Sequence, residues 1–144
     1  MIKVTNLHFT YHQSSTPAVQ NLNFEVNDGE IFGFLGPSGA GKSTTQKILI
    51  GLLDNYAGDI SVSGKALEQW NHSLYDFIGV CFELPNHYLK LSAFENLQFF
   101  STFYNVSTRD PMELLRMVGL GSDADKKVEG YSKGMKMRLN FIRS

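Results

Sequence analysis

The sequence predicts an α/β fold, with strands dominating the first half of the chain and helices the second. Three observations carry this. Ile2 and Val4, Leu7, Phe9 and Tyr11, and then Leu22, Phe24 and Val26 alternate within each group, loosely across residues 2–11, the period of a half-buried strand. Residues 31–35 form a nearly continuous apolar run, the texture of a strand buried on both faces of a parallel sheet. From residue 93 onward, apolar residues recur at helical spacing instead, as at Phe94, Leu97, Phe100 and Tyr104.

Taken in order, residues 2–11 read as a strand, followed by a polar loop at 13–17 and a second strand at 22–26. Asn27-Asp28-Gly29-Glu30 is a turn signal. Residues 31–35 read as a buried strand running into a Gly-rich loop at 36–41. Residues 43–52 read as a helix with Ile48, Leu49, Leu52 and Leu53 on one side. Residues 60–62 suit a short strand closed by Ser63-Gly64, and 77–82 a second buried strand. Residues 93–104 and 111–118 then read as helices, the latter with Asp110 as N-cap and Gly119 near its end. A further helix begins at Ser132. The expected organisation is an α/β core with a helical subdomain inserted after Phe82.

At 144 residues the chain is the size of one domain. Hydrophobic residues make up 42% and charged residues 19%, an ordinary globular balance. The net charge is -1. An anion must therefore be caught by a local site, and no nucleic-acid partner is expected. A single cysteine, Cys81, excludes a disulfide framework and a multi-cysteine zinc site, and His8, His12, His72 and His87 lack metal-ligand spacing. No apolar run reaches the ~18 residues of a membrane span, and the first residues lack the apolar stretch of a signal peptide. The expectation is a cytoplasmic protein that reaches a membrane only through a partner.

The sharpest signal is Gly36-Pro37-Ser38-Gly39-Ala40-Gly41-Lys42-Ser43, which satisfies the phosphate-loop pattern G-x-x-x-x-G-K-[ST]. Its glycines let successive backbone N–H groups turn inward as an anion nest. The helix that follows points its positive end at the phosphates. Lys42 reaches the β- and γ-phosphates as a compact charge, and the Ser43 hydroxyl is a hard oxygen ligand for Mg²⁺. A chance match in a chain of this composition has a probability of about 1%, and this loop sits between an apolar strand and a helix, as the motif requires.

The surrounding residues narrow the class. Phe34-Leu35-Gly36 through Lys42-Ser43-Thr44-Thr45, with Ile48-Leu49-Ile50-Gly51-Leu52-Leu53 after it, resembles the ATP-binding cassette (ABC) ATPases. The resemblance continues along nearly the whole chain. Phe9-Thr10-Tyr11 is similar to the family's A-loop, Gly58-Asp59-Ile60-Ser61-Val62-Ser63-Gly64 to its next strand and turn, and Ile78-Gly79-Val80-Cys81-Phe82-Glu83 to the approach to its Q-loop. Glu95-Asn96-Leu97 matches the helix start that follows. Tyr131-Ser132-Lys133-Gly134-Met135 resembles the signature region, often L-S-G-G-Q. Tyr-Ser-Lys-Gly-Met there, Phe-Glu before Leu-Pro-Asn, and Phe-Phe-x-x-Phe-Tyr in the helix resemble the drug- and antibiotic-export branch, whose ATPase is a separate chain.

The resemblance implies a P-loop NTPase core with an N-terminal antiparallel β part and an inserted helical subdomain. It divides the chain into a nucleotide-binding core at 1–83, a helical subdomain at 84–131 and the start of a signature helix at 132–144. It implies ATP and Mg²⁺ as ligands, held by Tyr11 and by Gly36, Pro37, Ser38, Gly39, Ala40, Gly41, Lys42, Ser43 and Thr44. Tyr11 would stack on adenine, an interaction worth roughly 1–3 kcal/mol; otherwise it is an ordinary aromatic at a strand end. Glu83 stands where the family commonly has Gln and would offer Mg²⁺ a charged oxygen beside that of Ser43; otherwise it is a solvated loop carboxylate. Lys42 and Glu83 are the candidate catalytic groups. Ser132, Lys133, Gly134 and Met135 would cap the ATP of a second ATP-binding subunit, by anion capture at a helix N-terminus; otherwise Ser132 is a plain N-cap.

The implied partners are that second subunit and a transmembrane permease subunit, which would place the protein on the inner face of the cell membrane. The family's catalytic Asp-Glu strand and later histidine do not occur in these residues. The sequence is therefore expected to be an N-terminal portion that binds nucleotide weakly, barely hydrolyses it and exposes apolar surface. Two alternatives stand beside the exporter reading: a non-transport ABC-type ATPase acting on DNA or the ribosome, and a non-catalytic ATP-binding fragment.

Overall fold

The computed structural model describes residues 1–82 and 86–144. Contacts within it cluster into two compact units, Met1–Asn71 and His72–Ser144.

The first unit is built on a four-stranded antiparallel sheet of order β2-β1-β3-β4. Its strands are β1 (Ile2–Phe9), β2 (Val19–Val26), β3 (Ala57–Val62) and β4 (Lys65–Ala66). The two-residue alternation explains which face is covered: Val4, Leu7 and Phe9 of β1 and Ile60 and Val62 of β3 are buried. Val4 lies at the centre, opposite Phe24 on one side and Ile60 on the other. The register slips between Thr5 and His8 against β3, where Gly58, at φ +104°, brings its backbone against Asn6: a Cβ there would meet the Asn6 carbonyl oxygen at 2.4 Å. The first helix, α1 (Lys42–Leu49), follows the Gly-rich loop and buries Thr44, Thr45 and Ile48.

The second unit holds α2 (Ser73–Phe77), α3 (Ala93–Ser101), α4 (Pro111–Met117) and α5 (Lys133–Arg143). Each of the last three starts on a side-chain cap. Ser92 and Glu95 form a reciprocal capping box at α3, Asp110 accepts from the Glu113 N–H at 2.9 Å, and Ser132 accepts from the Met135 N–H at 3.2 Å. These bonds satisfy N–H groups that the first helical turn leaves without partners. The apolar stripes of the three helices meet in one core of Ala93, Leu97, Leu115, Leu120, Ala124, Val128, Tyr131 and Leu139. The predicted helix at 93–104 ends at Ser101 and continues as tight turns through Tyr104.

Two expected strands do not form. Among the described residues, no strand pairs with 31–35 or 78–82. In the first segment Phe32 and Phe34 pack with Phe24 of β2, at centroid distances of 5.2 and 5.1 Å. Ile31 and Leu35, on the alternate side, are 101% and 95% exposed. In the second, residues 73–77 are helical and Phe82 is exposed. A strand of a parallel sheet needs hydrogen-bonded neighbours and a covering layer on both faces, and apolar content alone supplies neither.

Candidate functional site

The Gly-rich loop closes onto the segment between β1 and β2. Gly41, the residue before α1, adopts φ +83°, and a Cβ on it would lie 2.3 Å from the Ala18 carbonyl oxygen. Only glycine meets both demands, the left-handed backbone and the close approach. Gly39 shares the φ of +83° but faces open space. The Thr45 N–H and hydroxyl both donate to the Gly41 carbonyl, at 2.8 and 3.0 Å, which locks the first turn of α1 to the loop.

Lys42 arches back over that loop. Its Nζ donates to the carbonyl oxygens of Gly36 and Pro37 at 2.8 and 2.7 Å. Two of its three donors are thus used to hold the ammonium over the loop's backbone.

The structure brings Tyr11 to the same place. The β1–β2 connection turns at Tyr11, whose carbonyl accepts from the Ser14 N–H at 2.9 Å, and closes with the Ala18 N–H donating to Phe9 at 2.8 Å. Tyr11, Ala18 and residues 38–44 line one cleft of about 400 Å³. Ser38, Gly39, Ala40 and Ser43 are exposed at it, whereas Thr44 is buried in the turn of α1. Gly36 and Pro37 lie at the loop's start and contribute the carbonyls that hold Lys42.

The cleft suits a polyphosphate with a flat ring attached. Backbone N–H groups at a helix start and an ammonium gather negative charge, and an exposed aromatic face offers a stacking surface. The Ser43 hydroxyl, exposed at the same opening, fits Mg²⁺, which takes one or two protein oxygens together with phosphate oxygens and water. Among the described residues no group of three or more His, Cys, Asp or Glu could hold a metal ion by itself.

The other predicted site residues lie in the second unit. Ser132, Lys133 and Gly134 form the exposed N-terminus of α5, with Met135 half-buried beneath them. Gly134 leaves its surroundings open, since the nearest atom to an added Cβ is 4.0 Å away. Tyr131, just before them, is 4% exposed and donates its phenol proton to the Asp123 carbonyl at 2.7 Å. Burial, reinforced by Asp123, holds that phenol above its ordinary pKa. Glu83 lies outside the described residues.

Sequence reasoning missed three side chains that organise this unit. Asn96 is fully buried, accepts from the Tyr88 N–H at 3.0 Å and donates to the carbonyls of Tyr88 and Ser92 at 3.0 and 2.8 Å. Asn140, 1% exposed, donates to Phe82, and Arg143 donates to the Asn86 carbonyl at 2.6 Å. For Asn96 and Asn140 the available signal was an amide on the apolar stripe of a helix, which needs an internal partner; Arg143 carried no such signal.

A sequence model described as "ABC transporter" matches residues 19–144. The chain is 55% identical over all 144 residues to a fluoroquinolones export ATP-binding protein of Mycobacterium tuberculosis and covers 48% of it. It is 36% identical to the bacitracin transport ATP-binding protein BcrA of Bacillus licheniformis, covering 100% of this chain and 47% of that one. Thus the chain spans about half the length of these curated relatives. Among solved structures, an ATP-binding subunit of an ABC transporter superposes with a TM-score of 0.84 at 28% identity, covering 100% of this chain and 61% of that one. A dimeric ATP-binding cassette in a post-hydrolysis state with ADP and Pi gives 0.80 at 26% identity, covering 99% and 68%. No helix among the described residues is long and apolar enough to cross a membrane. By family and by fold, this chain belongs to the ABC transporter ATPases.

Proposed function

We propose that this chain is the nucleotide-binding part of the ATPase subunit of an ABC exporter. The observation that carries the reading is the convergence of Tyr11 with the phosphate loop on one cleft beneath the Lys42 ammonium. In this reading the loop's N–H groups and Lys42 hold the β- and γ-phosphates, Tyr11 stacks on adenine, and Thr44 lies against the phosphates from the first turn of α1. Mg²⁺, held through Ser43, neutralises charge on the phosphate oxygens; Glu83 is its second candidate ligand. Residues 1–83 carry this site, 84–131 form the helical subdomain, and 132–144 begin the signature helix.

The exposed N-terminus of α5, with Ser132, Lys133, Gly134 and Met135, caps the nucleotide of a second ATP-binding subunit. Two subunits close on two ATP molecules and reopen after hydrolysis. A transmembrane permease subunit converts that motion into transport, so the protein works on the inner face of the membrane. The relatives' names, fluoroquinolones export and bacitracin transport, support an exporter over an ATPase acting on DNA or the ribosome. These residues alone turn ATP over slowly in this reading; Lys42-dependent turnover well above the spontaneous background overturns that point.

A thermal melt with and without Mg-ATP, with Lys42→Ala as control, tests the site. Ligand at 100 times its Kd adds about 2.7 kcal/mol, a rise in Tm of roughly 5–10 °C for a chain of this size. The rise should vanish in Lys42→Ala. A melt indifferent to Mg-ATP in the parent protein overturns the reading.

A further inference from the structure

Tyr11 is the one aromatic among the described residues that line the nucleotide cleft, and although it is exposed, buried groups hold it on two sides. Its phenol oxygen lies 3.1 Å from Thr44 Oγ1. Its ring meets Phe9 edge-on, with centroids 4.9 Å apart and planes at 90°. Phe9 is 7% exposed in β1 and Thr44 8% exposed in α1, whereas Tyr11 is 40% exposed. An exposed ring is thereby fixed by one contact to the sheet and one to the phosphate helix.

Stacking on a base requires only the ring's face, which phenylalanine supplies equally well. The hydroxyl therefore has a separate consequence. A side chain that must be immobilised on binding costs affinity, and one already immobilised does not. We infer that Tyr11 is a positioning residue through its hydroxyl: the bond to Thr44 holds the ring at a set height and tilt over the phosphate loop. The base platform and the phosphate helix then act as one rigid gauge for the base-to-phosphate distance of a nucleotide. This inference rests on the nucleotide-binding reading above and adds to it the coupling of its two halves.

The test compares ATP with inorganic tripolyphosphate, which has no base, by calorimetry on the intact protein. The parent, Tyr11→Phe, Thr44→Val and the double variant are each measured. Tyr11→Phe should lower the ratio of ATP to tripolyphosphate affinity about three- to tenfold, the size expected for ordering one side chain. Thr44→Val breaks the same bond from the other end and should lower the ratio in the same direction. In the Thr44→Val background, Tyr11→Phe should change the ratio no further. Lys42-dependent ATP binding with an unchanged ratio in Tyr11→Phe overturns the inference alone. ATP binding indifferent to Lys42→Ala overturns the nucleotide reading, and the inference with it.

Discussion

Asn140 Nδ2 donates to the carbonyl oxygen of Phe82 across 2.7 Å, tying the last turns of α5 to a segment 58 residues earlier in the chain. The same nitrogen reaches Cys81 Sγ at 3.2 Å, and Asn140 Oδ1 accepts from Arg143 at 3.0 Å. Asn140→Leu keeps the branched heavy-atom frame of the side chain but removes its bonds to the Phe82 carbonyl and to Arg143. Phe82 is exposed and Arg143 half-buried, so water can reach the freed groups, and the loss is that of an ordinary hydrogen bond, about 0.5–1.5 kcal/mol. Urea denaturation should show a lower midpoint with an unchanged slope; a midpoint equal to that of the parent would remove Asn140 from the account of what holds this unit.

Gly41 and Gly39 share a positive φ but differ in what surrounds them. Gly39→Ala should cost roughly 1–2 kcal/mol, the strain of a left-handed alanine. Gly41→Ala adds a Cβ 2.3 Å from the Ala18 carbonyl oxygen, so the loop or the β1–β2 connection must move. It should cost more than Gly39→Ala and abolish the Mg-ATP shift of the melt. Equal costs for the two variants would contradict the close approach of Ala18.

The carboxylate of Glu95 accepts from the Ser92 N–H at 2.7 Å, while Ser92 Oγ accepts from the Glu95 N–H at 3.1 Å. The backbone bond first, and the side-chain bond with it, hold the Glu95 carboxyl below its ordinary pKa. The lowered value means that the folded state sheds this proton more readily than the unfolded chain. Its contribution to stability is therefore present above the ordinary carboxylate range and is lost as pH falls through the folded value. Carbon-detected NMR titration should find Glu95 titrating low, with Ser92→Ala returning it toward the ordinary value and weakening α3 by about 1 kcal/mol. An ordinary Glu95 titration in the parent would argue against the reciprocal cap.

His87 lies between the Lys136 backbone carbonyl and the Arg143 guanidinium. Its Nε2 is 3.0 Å from the Lys136 carbonyl, and Arg143 Nη1 is 3.5 Å from its Nδ1. Burial pushes its pKa down, and the Arg143 and Lys136 charges add to that, against the Lys136 carbonyl bond. The unfolded chain therefore binds the proton first as pH falls. Stability should be complete above the ordinary histidine value of about 6.5 and decline as pH drops through the lower folded value. His87→Gln should flatten that decline. A proton NMR titration showing His87 at or above its ordinary value would reverse the sign and reject the prediction.

The phosphate loop was legible in the sequence because its chemistry is local. Gly39 and Gly41 supply backbone angles, Lys42 a charge and Ser43 an oxygen, all within one turn of chain. The helix starts at Asp110 and Ser132 were legible for the same reason: a cap is satisfied three residues away. Tyr11 beside Thr44 spans 33 residues, and no residue spacing in the chain predicts that pair without a family to compare it with. Residues 31–35 and 78–82 show the opposite limit. Their composition marks them for burial, but a strand exists only where another strand offers its N–H and C=O groups. Asn96 and Asn140 read as polar interruptions of helical stripes until the backbone they bind is brought to them. The sequence by itself determined the groups that act within one turn and the faces the helices must bury. Tertiary structure alone decided which distant backbone meets them, because a hydrogen bond needs both partners within about 3 Å and only the fold sets that distance.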